Sequence, residues 1–388
     1  MSSFSVPVTR IRAIEVHPNA TALEIAKVYD WSVVVRKGEF IEGDLVIYVP
    51  VDSILPQDLE NSIFPPDSKI KLKNSRIRSI KIRGQISQGM IINTADVVEY
   101  IGQSKYGPEE DVSNQLGISK YEPPVNELPF YMRVKSKKKG NPEFKKYTDI
   151  ENFKYYDRLF QEYEPVYISE KLHGTSFRAG WFPMQKDNIW KKIKDYFGFL
   201  PKWEFCWGSR TVQVQIKGSH GGFHSVEQGV NFDDVYTEMV HKYNLKEKIP
   251  LGYAIYGEIV GDGIQKGYTY GCQPGEHKLY LYDIMNTTTG KYLDFYKDTY
   301  EGQDAPDQFF PVMCYAMGLE RVPELYTGPY RDHIIKKLRT GPSTIDGQPI
   351  REGVVIKPMV EQIASIGRKI LKYINDDYYL LKDGSDFH

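Results

Sequence analysis

The chain has 388 residues, with 50 Lys plus Arg against 51 Asp plus Glu and a formal net charge of −1. At 41% hydrophobic and 26% charged residues it can bury cores, which excludes a disordered scaffold, and its length suggests about two domains. Cys206, Cys272 and Cys314 are an odd number at wide spacing with no CxxC pair, so neither a disulfide framework nor a cysteine zinc site is indicated and a reducing compartment fits. The opening MSSFSVPVTRIRAIEV lacks a long apolar core, and no stretch approaches the roughly 18 apolar residues of a membrane helix. An intracellular, cytoplasmic protein without a membrane anchor is expected, cellular or virus-encoded and acting in the host cell.

Residues 1–120 read as short strands with turn punctuation: RIRAIEVHP, IAKVYDWSVVVRKGEF, DLVIYVPVDSIL and KIRGQISQGMIIN. A small β-barrel is the economical expectation. Lys69, Lys71, Lys73, Arg76, Arg78, Lys81 and Arg83 form a basic run without an acid, and Arg133, Lys135, Lys137, Lys138, Lys139, Lys145 and Lys146 form another around the single acid Glu143. Such runs are the electrostatic footprint of phosphate-backbone binding, and each alone fits a solvated face equally well. Spacing of two, broken once between Arg78 and Lys81 as a bulge would break it, predicts Arg76, Arg78, Lys81 and Arg83 along one barrel face. The stretch IRGQISQGM resembles oligonucleotide-binding modules appended to some tRNA-binding proteins, and strand faces of OB barrels commonly bind nucleic acid.

Residues 121–147 are rich in Pro and Lys without a sustained period, which predicts a basic linker. Thr148 to Tyr163 begins with a Thr or Asp cap and has Glu151 three residues after Thr148, which predicts a helix. Strands and helices then mix: PVYISEK, TSFRAGWF, FCWGSRTVQV, the helical DDVYTEMVHKYNLKEK, YAIYGEIVG, KLYLYDIM, a helix near Arg331 to Arg339, and GVVIKP. The insert Gln185–Trp203 reads as an extra amphipathic helix with Trp190 and Phe197 on its apolar side. This pattern predicts an α+β domain on antiparallel strands over 148–388.

No GxxxxGK[ST] loop occurs, so a nucleotide would not sit in a Walker loop. The alternative is EKLHGTS, Glu170 to Ser176, where a strand ends at Lys171 and Gly174 permits a tight turn. A lysine amine attacks phosphorus only when neutral, and neighbouring cations such as Lys357 or Lys372 would lower its pKa. By alternation along LYLYDI, Tyr280 and Tyr282 share one face and Leu279, Leu281 and Asp283 the other.

Six ordered elements carry a family resemblance: Lys171 in KLHG, Arg210 in GSRT, Glu258 in YGEIVG, the strand LYLYDI, Glu352 in EGVVIK, and Lys372 in LKYIN. In this order they resemble the covalent nucleotidyltransferase superfamily of polynucleotide ligases and capping enzymes, closest to the Deinococcus-type ATP-dependent RNA ligases with an N-terminal OB domain. The resemblance implies an α+β chain in which an OB-like β-barrel domain precedes an antiparallel-sheet-rich nucleotidyltransferase (ATP-grasp-like ligase) domain.

It also implies that Lys171 attacks the α-phosphate of ATP, expels pyrophosphate and becomes lysyl-AMP. AMP then passes to an RNA 5′-phosphate, which a 3′-hydroxyl attacks. Glu258 and Glu352 would orient Mg²⁺ or Mn²⁺, while Lys357, Lys372 and, third, Lys369 would grip the α-phosphate. Arg210 would lie near the ribose or the incoming 5′-phosphate, Tyr282 would stack on adenine, and Glu170 would face the adenine or nearby backbone. His173 stands where many relatives carry Asp, and Ser176 where they often have Asn or Arg. An imidazole at 173 would bond the ribose or a metal-bound water. Gly174 completes the nucleotide-binding turn.

Only the 16 residues 373–388 follow Lys372, too few for the C-terminal OB domain of DNA ligases and capping enzymes. An OB-like domain at the front suits a monomer that seals nicks in duplex or structured RNA, or in an RNA and DNA hybrid. The other readings are a capping-type transferase and an RNA-binding protein with an inactive nucleotidyltransferase domain.

Overall fold

The computed structural model describes residues 4–65, 68, 71–102, 106–121, 140–184, 202–214, 234–295, 309–348 and 350–381. Two compact units interleave along the chain: Met1–Asn126, Asp149–Gln161 and Leu371–His388 form the first, Glu127–Thr148 and Glu162–Ile370 the second. The stretch expected as one domain from 148 onward therefore gives two of its segments to the first unit. Among the described residues no helix is long and apolar enough to cross a membrane. The insert at 185–201 and the basic residues 133–139 lie outside the described residues.

In the first unit β1 (Val8–Arg10), β2 (Ala13–Val16), β3 (Leu23–Val28), β4 (Trp31–Arg36) and β5 (Leu45–Val49) precede β6 (Ile80–Ile82), β7 (Gln85–Ser87) and β8 (Met90–Asn93). They pair antiparallel as β1-β5-β8, β2-β3-β4 and the hairpin β6-β7. Period-two burial is plain in β4, where Trp31, Val33 and Val35 are buried. Val8, Ile47, Val49, Ile77, Ile92 and Val97 belong to one apolar cluster.

The single basic face is not formed. Asn74 and Ser75 take left-handed backbone, φ 57° and 53°, so Arg76 and Arg78 lie ahead of β6 and not on it. Arg76 turns inward: its Nε donates to Asp52 Oδ1 at 2.9 Å, and its guanidinium sits 3.6 Å over the Tyr121 ring. Arg78 is half-buried, whereas Lys81 is exposed on β6 and Arg83 is exposed in the turn, with φ 49° followed by Gly84 at φ 88°. Positive φ at both turn residues is what a two-residue hairpin loop requires.

The expected helix from Thr148 to Tyr163 is also absent. Its place is taken by β9 (Glu151–Asn152), parallel to the strand Leu371–Ile374, and a 3₁₀ turn at Phe153–Tyr155. Tertiary partners override the helical spacing. Lys154 is buried and donates to Gln88 Oε1 at 2.6 Å and Asp376 Oδ1 at 2.9 Å, with its ammonium 4.5 Å from the Trp31 ring centroid.

The second unit contains two antiparallel sheets. In one, β10 (Pro165–Lys171) lies between β15 (Glu324–Pro329) and β16 (Gly353–Pro358). In the other, β11 (Thr175–Pro183), β12 (Trp203–Ser209), β13 (Tyr253–Gly261) and β14 (His277–Asn286) run in the order β12-β11-β13-β14. The helices α1 (Val235–Lys242) and α2 (Phe310–Met317) contribute Met239, Val240, Phe310 and Met313 to a core with Ile255, Ile259, Leu279, Leu281 and Ile284.

Asp234 caps α1 by accepting from Thr237 N at 2.8 Å, and Asn244, at φ 51°, breaks the expected single helix before Leu245–Lys248. The helix expected near Arg331 to Arg339 is α3 (Asp332–Leu338). Residues 140–147, expected as linker, pack in this unit: Phe144 and Tyr147 are buried, and Arg178 donates to the Phe144 carbonyl at 2.7 Å.

A bulge overturns the simple alternation along LYLYDI. Leu281 faces Gly257 and Asp283 faces Tyr256, so Tyr282 is the extra residue. Ile284 continues the apolar face after Leu279 and Leu281, and Asp283 is released into a charged cluster.

Candidate active site

Lys171 ends β10 and Glu352 immediately precedes β16, because the antiparallel register sets Lys171 opposite Gly353. The Lys171 ammonium donates to Glu352 Oε1 at 2.5 Å, with side-chain exposures of 12% and 1%. A charge-assisted bond in so dry a place is strong, and it aims the amine. The turn after Lys171 is bonded by side chains. Gly174 N donates to Glu258 Oε1 at 3.1 Å, and His173 N donates to the Tyr270 hydroxyl at 2.7 Å. A Cβ at Gly174 would stand 2.2 Å from the Ile259 carbonyl oxygen, so only glycine lets the turn approach β13 this closely. The His173 ring is buried, 3.9 Å from Glu352 Oε2, and meets Tyr268 edge-on at 4.8 Å.

Burial pushes the Glu258 carboxyl up to about 8; the Lys171 ammonium acts against this and the Glu352 carboxylate reinforces it. The sign for stability follows. A carboxyl raised from 4.5 to about 8 binds its proton more tightly in the folded state, so its contribution is full below pH 4.5 and is lost as pH rises through about 8. In chelator, stability measured by denaturant unfolding should fall across this window by up to about 1.4 kcal/mol per pH unit, and Glu258→Gln should flatten the slope. A wild-type slope retained in the variant would assign the titration elsewhere.

Arg210, half-buried after β12, lowers the Glu258 carboxyl and the Tyr282 phenol electrostatically. Tyr282 is half-buried, 4.9 Å edge-on from Tyr147, and burial followed by the Glu258 charge raises its phenol. Lys171, His173, Gly174, Arg210, Glu258, Tyr282 and Glu352 thus form one neighbourhood.

Other expected site residues are engaged differently. Glu170 is buried, accepting at Oε2 from Thr344 N at 2.9 Å and Thr344 Oγ1 at 2.8 Å. Lys357, placed in the phosphate grip by sequence, is buried and donates to the Tyr282 carbonyl at 2.7 Å and Asp283 Oδ2 at 2.9 Å. Burial lowers its ammonium, against the pull of Asp283. Lys369 donates to both Glu164 oxygens, at 2.6 and 2.8 Å. Lys372 is buried on Leu371–Ile374, which belongs to the first unit.

Arg368, which no motif or spacing singles out, bonds Asp283 Oδ2 at 2.9 Å and lies 3.4 Å over the Tyr292 ring. An aspartate in an otherwise apolar strand signalled a buried cation, and nothing in the spacing said which. Gln265 and Tyr270 are likewise not singled out, since loop residues carry no period.

Among the described residues no group of three or more His, Cys, Asp or Glu gathers as a metal site. Two electrostatically coupled carboxylates, Glu258 and Glu352, are hard oxygen donors, a set that fits Mg²⁺ or Mn²⁺ with water completing the shell.

The site is thus a strand-end lysine paired with a buried carboxylate at the ends of antiparallel strands. Residues 164–374 match the RNA ligase family, and residues 5–94 match an OB-fold domain. The chain belongs to the RNA ligase family, with an OB-fold domain ahead of the sheet-rich ligase domain.

Solved structures of Naegleria gruberi RNA ligase share the fold over nearly the whole chain. An arginine mutant with ATP and Mn is 21% identical, with a TM-score of 0.68 over 98% of this chain and 99% of that one. The enzyme with PPi gives 21%, 0.67, 97% and 98%, and a lysine mutant with AMP and Mn gives 20%, 0.65, 97% and 98%. No curated protein matches.

Proposed function

We propose that this chain is an ATP-dependent RNA ligase that seals 3′-hydroxyl/5′-phosphate nicks in duplex or structured RNA, acting as a monomer through lysyl-AMP on Lys171. The observation that carries the reading is the Lys171 ammonium held at 2.5 Å by the buried Glu352, with the Glu258 carboxyl beside it. The ATP, AMP, PPi and Mn bound by the Naegleria enzyme support ATP and a divalent cation. In the first step the neutral Lys171 amine forms an N–P bond to the α-phosphorus while the bond to the pyrophosphate oxygen breaks. Glu352, already bonded to the amine, aims it and is placed to receive its proton. AMP then moves to the RNA 5′-phosphate oxygen, regenerating the amine, and the 3′-hydroxyl displaces AMP to form the phosphodiester. A divalent cation held by Glu258 and Glu352 would neutralise phosphate oxygens.

The test is incubation with each α-labelled NTP and Mg²⁺ or Mn²⁺, followed by denaturing electrophoresis and then by nicked and single-stranded RNA. Label from ATP alone and sealing of the nicked duplex are expected. Label from GTP would favour capping, and no label in folded protein an RNA-binding module. RNA contact is assigned to the exposed Lys81 and Arg83. Their double alanine variant should weaken RNA binding and reduce the slope of log K against log salt by up to about 2, leaving AMP attachment intact.

A further inference from the structure

The loop Asp262–Glu276, between β13 and β14, reaches both segments that carry the Lys171–Glu352 pair. Gln265 Nε2 donates to the Gly174 carbonyl at 2.8 Å, and the Tyr270 hydroxyl accepts from His173 N at 2.7 Å. The Tyr268 hydroxyl donates to the Ile350 carbonyl at 3.2 Å, two residues ahead of Glu352, while its ring lies against His173. Tyr268 and Tyr270 are 8% and 2% exposed. The Lys171 turn lies past the end of the β10 ladder, whose last register pair is Lys171 with Gly353. Polar backbone groups at such a strand end need other partners, and here the loop supplies two of them. Tyr270 does so from a left-handed backbone, φ 51°, uncommon for a bulky residue and a mark of a position held for a purpose.

We infer that Gln265, Tyr268 and Tyr270 are positioning residues that fix the Lys171 turn against the Glu352 segment, so that the amine meets the α-phosphorus in line. The inference rests on the ligase reading above. Their polar atoms bond backbone, namely the Gly174 and Ile350 carbonyls and the His173 amide. Their loss should therefore slow attack by Lys171 and leave ATP binding and the final joining step, in which Lys171 has no bond to make, little changed.

The experiment compares full-length wild type, Tyr270→Phe, Tyr268→Phe and Gln265→Ala. Single-turnover AMP attachment is followed across ATP concentration, joining is followed at a nick already carrying AMP on its 5′-end, and thermal unfolding is recorded in parallel. Maximal attachment rates about 10- to 100-fold lower are expected, with half-saturating ATP within about threefold, joining of the AMP-capped nick near wild type, and a melting temperature lowered by only a few degrees, the cost of one lost buried hydrogen bond. Tyr→Phe keeps each ring in place, and Gln265 is half-buried, so a fold defect in one variant leaves the others informative. Attachment at the wild-type rate in all three would overturn the positioning role, as would a rate loss matched by weaker ATP binding or by equal loss at the AMP-capped nick. Wild-type protein that takes no label would instead overturn the ligase reading itself.

Discussion

Lys171→Arg protein should take up no AMP, a loss on the order of 10³-fold or more, while unfolding at the wild-type denaturant concentration. The choice of arginine matters. Glu352 is 1% exposed and bonded to the Lys171 ammonium at 2.5 Å, so Lys171→Ala deletes the nucleophile and also strands a buried carboxylate. Breaking a buried pair by removing one partner costs about 3–5 kcal/mol, enough to confuse a dead enzyme with an unfolded one. A guanidinium keeps the charge and the bond but stays protonated and cannot attack phosphorus. Lys171→Arg should thus separate chemistry from folding, and Lys171→Ala should lose both. Label retained in the arginine variant would move the nucleophile to another residue.

Asp283→Asn should destabilise the protein by about 3–5 kcal/mol, a large part of the roughly 5–15 kcal/mol that holds a typical domain folded. Its Oδ2 accepts from Lys357 at 2.9 Å, Arg368 at 2.9 Å and Tyr147 at 2.6 Å. Burial alone would raise this carboxyl, but the Lys357 and Arg368 charges prevail and hold it below the usual range. A neutral amide leaves both cations underpaired, although Arg368 keeps Glu361. Adding Lys357→Met to Asp283→Asn should return on the order of 1–2 kcal/mol, because the stranded ammonium is gone. Unfolding free energies from the four proteins of this cycle provide the check. Strict additivity would show that the pair is not what stabilises the cluster.

Local pattern made some of this legible and tertiary partnering hid the rest. The strands of both units follow from β-branched runs with turn residues between them, and α1 from its Asp234 cap. Lys171, Glu258 and Glu352 were readable because the short motifs around them, in their order along the chain, resemble a known family, and each stands on or beside a strand. Arg76 looked like its neighbours in the basic run, and only its partner Asp52, far back in sequence, makes it a core residue. The segment after Thr148 carried helical spacing, but its apolar positions answer to Tyr373 and Trp31, as the Phe153–Tyr373 stack at 4.5 Å shows. The bulge at Tyr282 shifts every later side chain by one face, and no residue type announces it.

The first unit is assembled from three stretches of chain, and this sets an order on its folding during synthesis. Gln88 bonds Asp376 at 3.1 Å, Trp31 packs at 6.2 Å on Tyr379, and Asp30 receives the Tyr373 hydroxyl. A nascent chain that has not yet released Leu371–Ile374 lacks these contacts, and its buried Lys154 lacks an anion at Asp376. The strands near the start of the chain thus reach their final packing only after the stretch from Leu371 has been made.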